Sequence, residues 1–213
     1  MLIPAGSKIL MIGDSITDCD RARPVGKRAD GLGNGYVSLV DSLLTATYPA
    51  DEFTVINMGV SGNTLRDLSA RWQTDVLNLQ PDWLSVMIGI NDVWRQFDSP
   101  GLPSISSVQE YTLILEQLLQ QTAPTVSGIV IMTPFFIEKN RQNPMRRMTE
   151  DYVEAVCQIA RKHKVILVDT QTIFDTMLAH RPFQDLSGDH VHPTMTGHMI
   201  LARAFLQALG YVW

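Results

Sequence analysis

Short apolar runs alternate along this chain with longer amphipathic ones. The short runs are Lys8–Ile12, Phe53–Met58, Trp83–Ile88, Gly128–Met132 and Val165–Val168, rich in Val, Ile, Leu and Met without strict alternation. That pattern predicts strands buried on both faces of a parallel sheet. The longer runs carry apolar residues at helical spacing. Thr64–Leu79 sets Leu65, Leu68, Trp72, Val76 and Leu79 on one face, with Thr64 and Asp67 placed as a capping box. Val108–Leu119 does the same with Val108, Tyr111, Leu115 and Leu118, and Met148–Arg161 with Tyr152, Val153, Val156 and Ala160. Asn34–Thr47 reads as helical up to Pro49, and Pro193–Leu209 opens on a proline and closes before Gly210. Strand and helix in alternation predict an α/β chain: a three-layer α/β/α sandwich with a central parallel sheet of about five strands. Two long loops, Thr17–Gly33 and Asp98–Ser107, interrupt the pattern, and loops of that length tend to carry function.

Composition narrows the classes. The chain has 213 residues, which fits one domain over residues 1–213. Lys and Arg number 17 against 22 Asp and Glu, a net charge of −5. A basic face for nucleic acid or a membrane surface is therefore not expected. No apolar run approaches the ~18 residues of a membrane span. The N-terminal Met1–Lys8 lacks the features of a secretion signal. Cys19 and Cys157 supply neither a disulfide framework nor metal-site spacing. The expectation is a soluble, cytoplasmic protein.

Four small polar motifs stand where predicted strands end or the last helix begins: Gly13-Asp14-Ser15-Ile16-Thr17, Asn57-Met58-Gly59-Val60-Ser61-Gly62-Asn63, Gly89-Ile90-Asn91-Asp92, and Asp189-His190-Val191-His192-Pro193. In open parallel sheets ligands bind beyond the carboxyl ends of strands. These motifs contain the parts of an acyl-transfer site. A serine hydroxyl needs a base, usually neutral imidazole, and the imidazole needs a carboxylate to fix its tautomer. Ser15, His192 and Asp189 fill those roles. Asp189 precedes His192 by three residues, so one turn can bring carboxylate and ring together. The oxyanion needs fixed donors, for which the Ser15 N–H, the Gly59 N–H and the Asn91 amide are suited. No metal or organic cofactor is required by this chemistry.

The four motifs resemble the blocks of the SGNH hydrolases, also called the GDSL esterase family, in the family's order. The resemblance implies an SGNH/flavodoxin-like sheet and a serine esterase. Further segments resemble the acetylxylan-esterase branch of intracellular bacterial enzymes: Gly13–Cys19 with Arg21-Ala22-Arg23-Pro24, Gly89–Gln96, Pro144-Met145-Arg146-Arg147 and Gly197–Leu206. That branch implies removal of O-acetyl groups from xylo-oligosaccharides, with a small acetylated oligosaccharide as partner. The alternatives on the same triad are a lysophospholipase, a thioesterase or a broad short-chain acyl esterase. A non-catalytic carbohydrate-binding protein is the alternative of another class.

Each motif also has a plainer reading. Asp14 and Asp92 read as structural carboxylates that accept backbone N–H groups. Gly62 and Asn63 shape a loop, with Asn63 also a candidate substrate contact. Asp189, His190 and His192 could hold a metal, but no further ligand cluster accompanies them. His190 is then a loop residue, His198 a buried helix residue, and Cys19 a packed thiol. Trp94 and Arg95 follow Asn91 and are candidates for a sugar platform. Tyr211-Val212-Trp213 is an apolar tail whose two readings are packing on the core and packing on a second copy in a homo-oligomer.

Overall fold

Strands β1 (Lys8–Gly13), β3 (Thr54–Asn57), β4 (Trp83–Met87), β5 (Gly128–Met132) and β6 (Ile166–Val168) pair in parallel, in a computed structural model that describes residues 1–103 and 105–213. A two-residue strand, β2 (Gly26–Lys27), adds an antiparallel edge on β3, giving the order β2-β3-β1-β4-β5-β6. The five predicted strands are all present. The sixth lies inside the predicted loop Thr17–Gly33, where two residues are too few to register as a pattern. Ser104, within the predicted loop Asp98–Ser107, lies outside the described residues.

Alternate residues of β1 face opposite cores. Ile9 and Met11 pack with helices α2 (Tyr36–Thr47), α8 (Thr170–Leu178) and α9 (Met195–Ala208) through Val40, Phe174 and Phe205. Leu10 and Ile12 pack with α3 (Leu65–Ala70), α6 (Val108–Thr122) and α7 (Pro144–His163) through Leu68, Leu115 and Val156. Both faces are buried, which is why these strands read as continuous apolar runs.

Several helix boundaries moved for identifiable reasons. The expected helix Thr64–Leu79 is broken into α3, a short α4 (Trp72–Asp75) and a single 3-10 turn at Leu77–Leu79. At the break Arg71 leaves helical geometry (φ −108°, ψ 7°), and its guanidinium bonds Asn63 Oδ1, Met58 O and Gly13 O. The Thr64–Asp67 capping box is formed. Helix α7 begins at Pro144, ahead of the expected Met148, because the Asn143 side chain caps it and proline suits the first turn. Pro193 is not helical; it bridges to Ser187, and Thr194 caps α9. Three helices had not been expected: α1 (Ser15–Asp18), α5 (Ile90–Asp98) and α8. At the C-terminus Tyr211 is buried, whereas Val212 and Trp213 are exposed, with Arg203 over the Trp213 ring.

The chain leaves β1 for β3 on one side and returns to β4 on the other. A crevice opens at such a switch point. It brings the loops after β1, β3 and β4 together, and those loops carry three of the four polar motifs.

Candidate active site

Ser15 opens α1 directly after β1. Asp14 caps that helix, its Oδ1 accepting the Ile16 N–H at 3.0 Å. Burial pushes the Asp14 carboxyl up to about 7, against the pull of that hydrogen bond. The turn is tight: a Cβ on Gly13 would lie 2.3 Å from the Met87 carbonyl oxygen. Ser15 is thereby held at the sheet edge with its hydroxyl free of the core.

The fold closes the gap of 177 residues between Ser15 and His192, placing Ser15 Oγ 3.0 Å from His192 Nε2. His192 Nδ1 lies 2.6 Å from Asp189 Oδ2. A carboxylate only accepts, so Nδ1 carries the proton and Nε2 presents a lone pair to the serine hydroxyl. Asp189 Oδ1 accepts the Val191 N–H at 3.0 Å and the His192 N–H at 2.7 Å. Burial works against the Asp189 charge, but the bonds from the His192 ring and backbone outweigh it and hold the carboxyl at about 2. The loop is fixed from beneath by Ser187, whose Oγ bonds the His192 carbonyl at 2.8 Å.

His190 does not join its neighbour. Its Nδ1 donates to the Ile137 carbonyl at 2.8 Å, and its ring stacks on Phe183 at 3.8 Å. His190 is thus held by Ile137 and Phe183, whereas the two nitrogens of His192 face Ser15 and Asp189. Among the described residues no group of three or more His, Cys, Asp or Glu is arranged to hold a metal.

The oxyanion donors require a correction. The Gly59 N–H donates to Asn57 Oδ1 at 2.9 Å, so it is not available to a substrate. Gly59 is needed for space instead, since a Cβ there would meet the Asp18 backbone nitrogen at 2.2 Å. Its neighbours are engaged as well: the Val60 N–H bonds Gly13 O, the Ser61 N–H bonds Asp18 Oδ2, and the Asn63 N–H bonds Val60 O. Among the described residues the Gly62 N–H has no protein acceptor. Gly62 lies at φ +82°, with open space where a Cβ would stand. Asn91, at the start of α5, donates one amide hydrogen to Asn63 O at 3.0 Å, which ties it to the same loop and leaves the second hydrogen free. The Ser15 N–H likewise has no protein acceptor among the described residues. The sequence alone presents Gly62 as shaping a loop. The acceptor of the Gly59 N–H is local, the Asn57 side chain two residues back, whereas Gly13 of β1 and Asp18 of α1 take the Val60 and Ser61 N–H groups.

That loop is braced by buried charge. Asp18 takes both Arg23 guanidinium nitrogens, at 3.0 and 2.6 Å, and the Ser61 hydroxyl at 2.8 Å. Burial opposes the Asp18 charge, yet Arg23 and Ser61 hold it below the ordinary carboxylate range. Arg21 Nε donates to the Gly59 carbonyl at 2.6 Å. Asp92 ties the start of α3 to α5, accepting the Leu65 N–H at 3.0 Å and the Ser106 hydroxyl at 2.5 Å. Burial pushes Asp92 up to about 7.

The candidate substrate contacts separate into two kinds. Trp94 lies beside His192, the two ring centroids 5.8 Å apart. Arg95 covers the outer side of Trp94 at 5.4 Å and pairs with Asp98 at 2.5 Å. The Asn63 side-chain oxygen is taken by Arg71 Nε at 2.7 Å, so that residue braces the loop through its oxygen.

Comparison with known proteins agrees with this geometry. Residues 11–200 match the GDSL-like lipase/acylhydrolase family. An acetylxylan esterase of Geobacillus stearothermophilus is 51% identical over 215 residues, covering 100% of this chain and 98% of that protein. The crystal structure of that enzyme, Axe2, superposes with a TM-score of 0.97 over 100% of this chain and 98% of its own. An α/β hydrolase from the Lake Arreo metagenome, LAE5, is 45% identical with a TM-score of 0.95, covering 99% and 98% of the two chains.

Proposed function

The chain belongs to the GDSL-like lipase/acylhydrolase family, and from that premise we propose that it is a serine esterase that removes acetyl groups from xylo-oligosaccharides through an acetyl-enzyme on Ser15. The observation that carries the mechanism is the continuous chain Ser15 Oγ, His192, Asp189, with links of 3.0 and 2.6 Å. The substrate rests on the 51% identity with the Geobacillus acetylxylan esterase over the whole chain.

In the first step Ser15 Oγ attacks the acetyl carbonyl while His192 Nε2 takes the hydroxyl proton. The developing oxyanion is met by the Ser15 N–H, the Gly62 N–H and the free Asn91 amide hydrogen, donors that need no reorganisation at the moment of reaction. Asp189 stabilises the imidazolium. Collapse breaks the bond to the sugar oxygen, which takes the proton from His192. Water then enters, giving a proton to His192 and a hydroxyl to the acetyl carbon; the bond from that carbon to Ser15 Oγ breaks, His192 returns the proton to Oγ, and acetate leaves.

Trp94, beside His192, offers an apolar surface to a sugar ring, and Arg95, whose guanidinium lies over the Trp94 ring, offers donors to hydroxyls. Polar groups also surround the segment that follows Ser15: Arg23 and Ser61, exposed and both bonded to the buried Asp18, and the half-buried Asn63. Such a rim suits an acylated sugar better than a long acyl chain. Cys19 and Cys157 are both unpaired, which suits a reducing cytoplasm and short oligosaccharides that have entered the cell. Among the described residues no helix is long and apolar enough to cross a membrane.

Acetate release from acetylated xylo-oligosaccharides tests the reading. Ser15→Ala is expected to lower turnover by about 10⁶. Near-wild-type release by that variant would end the nucleophile assignment. Faster hydrolysis of octanoyl than of acetyl nitrophenyl esters would remove the acetyl specificity.

A further inference from the structure

The thiol and imidazole beside the site remain unassigned. Cys19 is four residues from Ser15 and ends α1 in the left-handed region (φ 41°). His198 lies in the first turns of α9, six residues after His192. The two meet: Cys19 Sγ is 3.4 Å from His198 Nε2.

Hydrogen-bond partners fix the direction of that contact. His198 Nδ1 accepts the Tyr36 N–H at 3.2 Å, so its lone pair is there. In the neutral ring Nε2 must then carry the proton and donate it to the sulfur. The thiol in turn donates back to the turn that holds Ser15, with Sγ 3.4 Å from the Ile16 carbonyl oxygen. One imidazole thus joins the end of α1, the start of α2 and the start of α9.

The surroundings leave this junction no slack. A Cβ on Gly35 would stand 2.6 Å from Cys19 Sγ and 3.1 Å from His198 Cε1. A Cβ on Gly197 would meet the Leu186 carbonyl oxygen and Pro193 Cβ, both at 2.7 Å. Helix α9 is therefore seated directly on the loop that carries Asp189 and His192. Burial pulls the His198 ring down to about 4, the nearby His192 adding to the effect, and pushes the Cys19 thiol up to about 12. Both groups stay neutral while His192 gains and loses its proton, so they do not compete with it for protons.

We propose that Cys19 and His198 are positioning residues: the hydrogen bond between them registers the Ser15 turn against α9 and so sets the distance over which Ser15 hands its proton to His192. The inference rests on Ser15 and His192 being the reacting pair. A displacement of ~1 Å in such a pair can cost up to ~10² in rate. Binding of the acyl group does not pass through the Cys19–His198 contact.

The test is a double-mutant cycle on 4-nitrophenyl acetate, with Cys19→Ala, His198→Leu and the pair together, and with Cys19→Ser and His198→Gln as conservative variants. Melting temperature is followed for each. Ser15→Ala serves as the control, and its activity bears on the nucleophile assignment alone. Each single deletion is expected to lower kcat about tenfold with KM within about twofold, and the double variant to be no slower than the slower single one. Cys19→Ser and His198→Gln, which keep a donor or acceptor at the contact, are expected to recover most of the lost kcat. Labelling of Ser15 by a phosphonofluoridate should slow in step with kcat. If Cys19→Ala is folded and within twofold of wild-type kcat, the inference is wrong. It is equally overturned if the two deletions multiply, or if Cys19→Ser recovers nothing, since either outcome marks plain packing. Should His198→Leu not fold, the comparison of Cys19→Ala with Cys19→Ser decides alone.

Discussion

The two sides of the active site are built in different ways. The nucleophile side is assembled from strand ends and buried polar groups: Asp14, Asp18, Arg21, Asn57, Asn91 and Asp92 are each at most 5% exposed. Nearly every donor there has a named acceptor, and several of those acceptors come from distant segments. The base side is a surface loop in which the Asp189 and His192 side chains are each 45% exposed. It is held by a few short bonds to its own backbone, by Ser187, and by the Ile137 segment, which accepts the His190 ring and donates its N–H to the His190 carbonyl at 2.8 Å. A preorganised oxyanion site demands rigidity, because its donors must not reorient as charge develops. In the proposed reaction His192 takes a proton from a hydroxyl, gives it to a leaving sugar and then meets water, so contact with solvent suits it.

That contrast can be broken at either side. The larger effect is expected from Asp189→Asn, which leaves the loop nearly isosteric but removes the charge that fixes the Nδ1–H tautomer. Loss of that role in a triad costs up to ~10⁴ in kcat. Half exposure places this site nearer to ~10³, since water screens part of the imidazolium. A kcat within tenfold of wild type would show that the Val191 and His192 backbone contacts, not the carboxylate, orient the ring.

Asn91→Ala acts on the buried side. It deletes one oxyanion donor and also the tether to Asn63, and is expected to lower kcat by about 10²–10³, or ~2.7–4 kcal/mol, with KM little changed. Loss confined to KM would place Asn91 in ground-state binding.

The smallest effect concerns stability and acid. In the folded protein His198 titrates near 4, whereas an unfolded histidine titrates near its ordinary 6.5. Between those values the unfolded chain binds more protons, so this residue's contribution falls as pH drops from above 6.5 toward 4. Asp14 and Asp92 act in the opposite sense, their carboxyls raised to about 7 by burial, so the net slope mixes both signs. The variant isolates one of them. On going from pH 7 to pH 5 the urea midpoint of His198→Gln should move upward relative to that of wild type, because the variant lacks the histidine's acid-labile contribution while keeping Asp14 and Asp92; identical shifts would show that His198 is not held neutral by the fold.

Much of this architecture is legible in the sequence alone. The five parallel strands were visible because burial on both faces leaves no room for polar alternation. The Thr64–Asp67 cap was visible because capping is local chemistry. Ser15, Asn91, Asp189 and His192 stand out in the sequence because four polar motifs follow one another in the order of one hydrolase family and together hold the residue types of an acyl-transfer site. Other features were hidden. Helix α5 was masked by the motif at its start, since Ile90-Asn91-Asp92 reads as a loop until Gly89 (φ +128°) turns the chain into it. Helix α8 is short and begins on Asp169, whose side chain caps it at Thr172 N, a signal that its threonine-rich first turn obscured. The break at Arg71 depends on acceptors from β1 and the loop after β3, which no helical period can report.

What the sequence determined by itself was therefore what periodicity and local hydrogen bonding encode: the alternation of buried strand and half-buried helix, several caps, and the residue types able to perform acyl transfer. What only tertiary structure decided was which of those groups are free to act. In the loop after β3 the Val60 and Ser61 N–H groups are taken by Gly13 and Asp18, while among the described residues that of Gly62 has no protein acceptor. Cys19 and His198 are unremarkable in sequence and adjoin only once α1 and α9 are packed. The physical reason is the same in each case. A donor's availability depends on every acceptor within about 3 Å, and those acceptors come from parts of the chain that folding alone brings together.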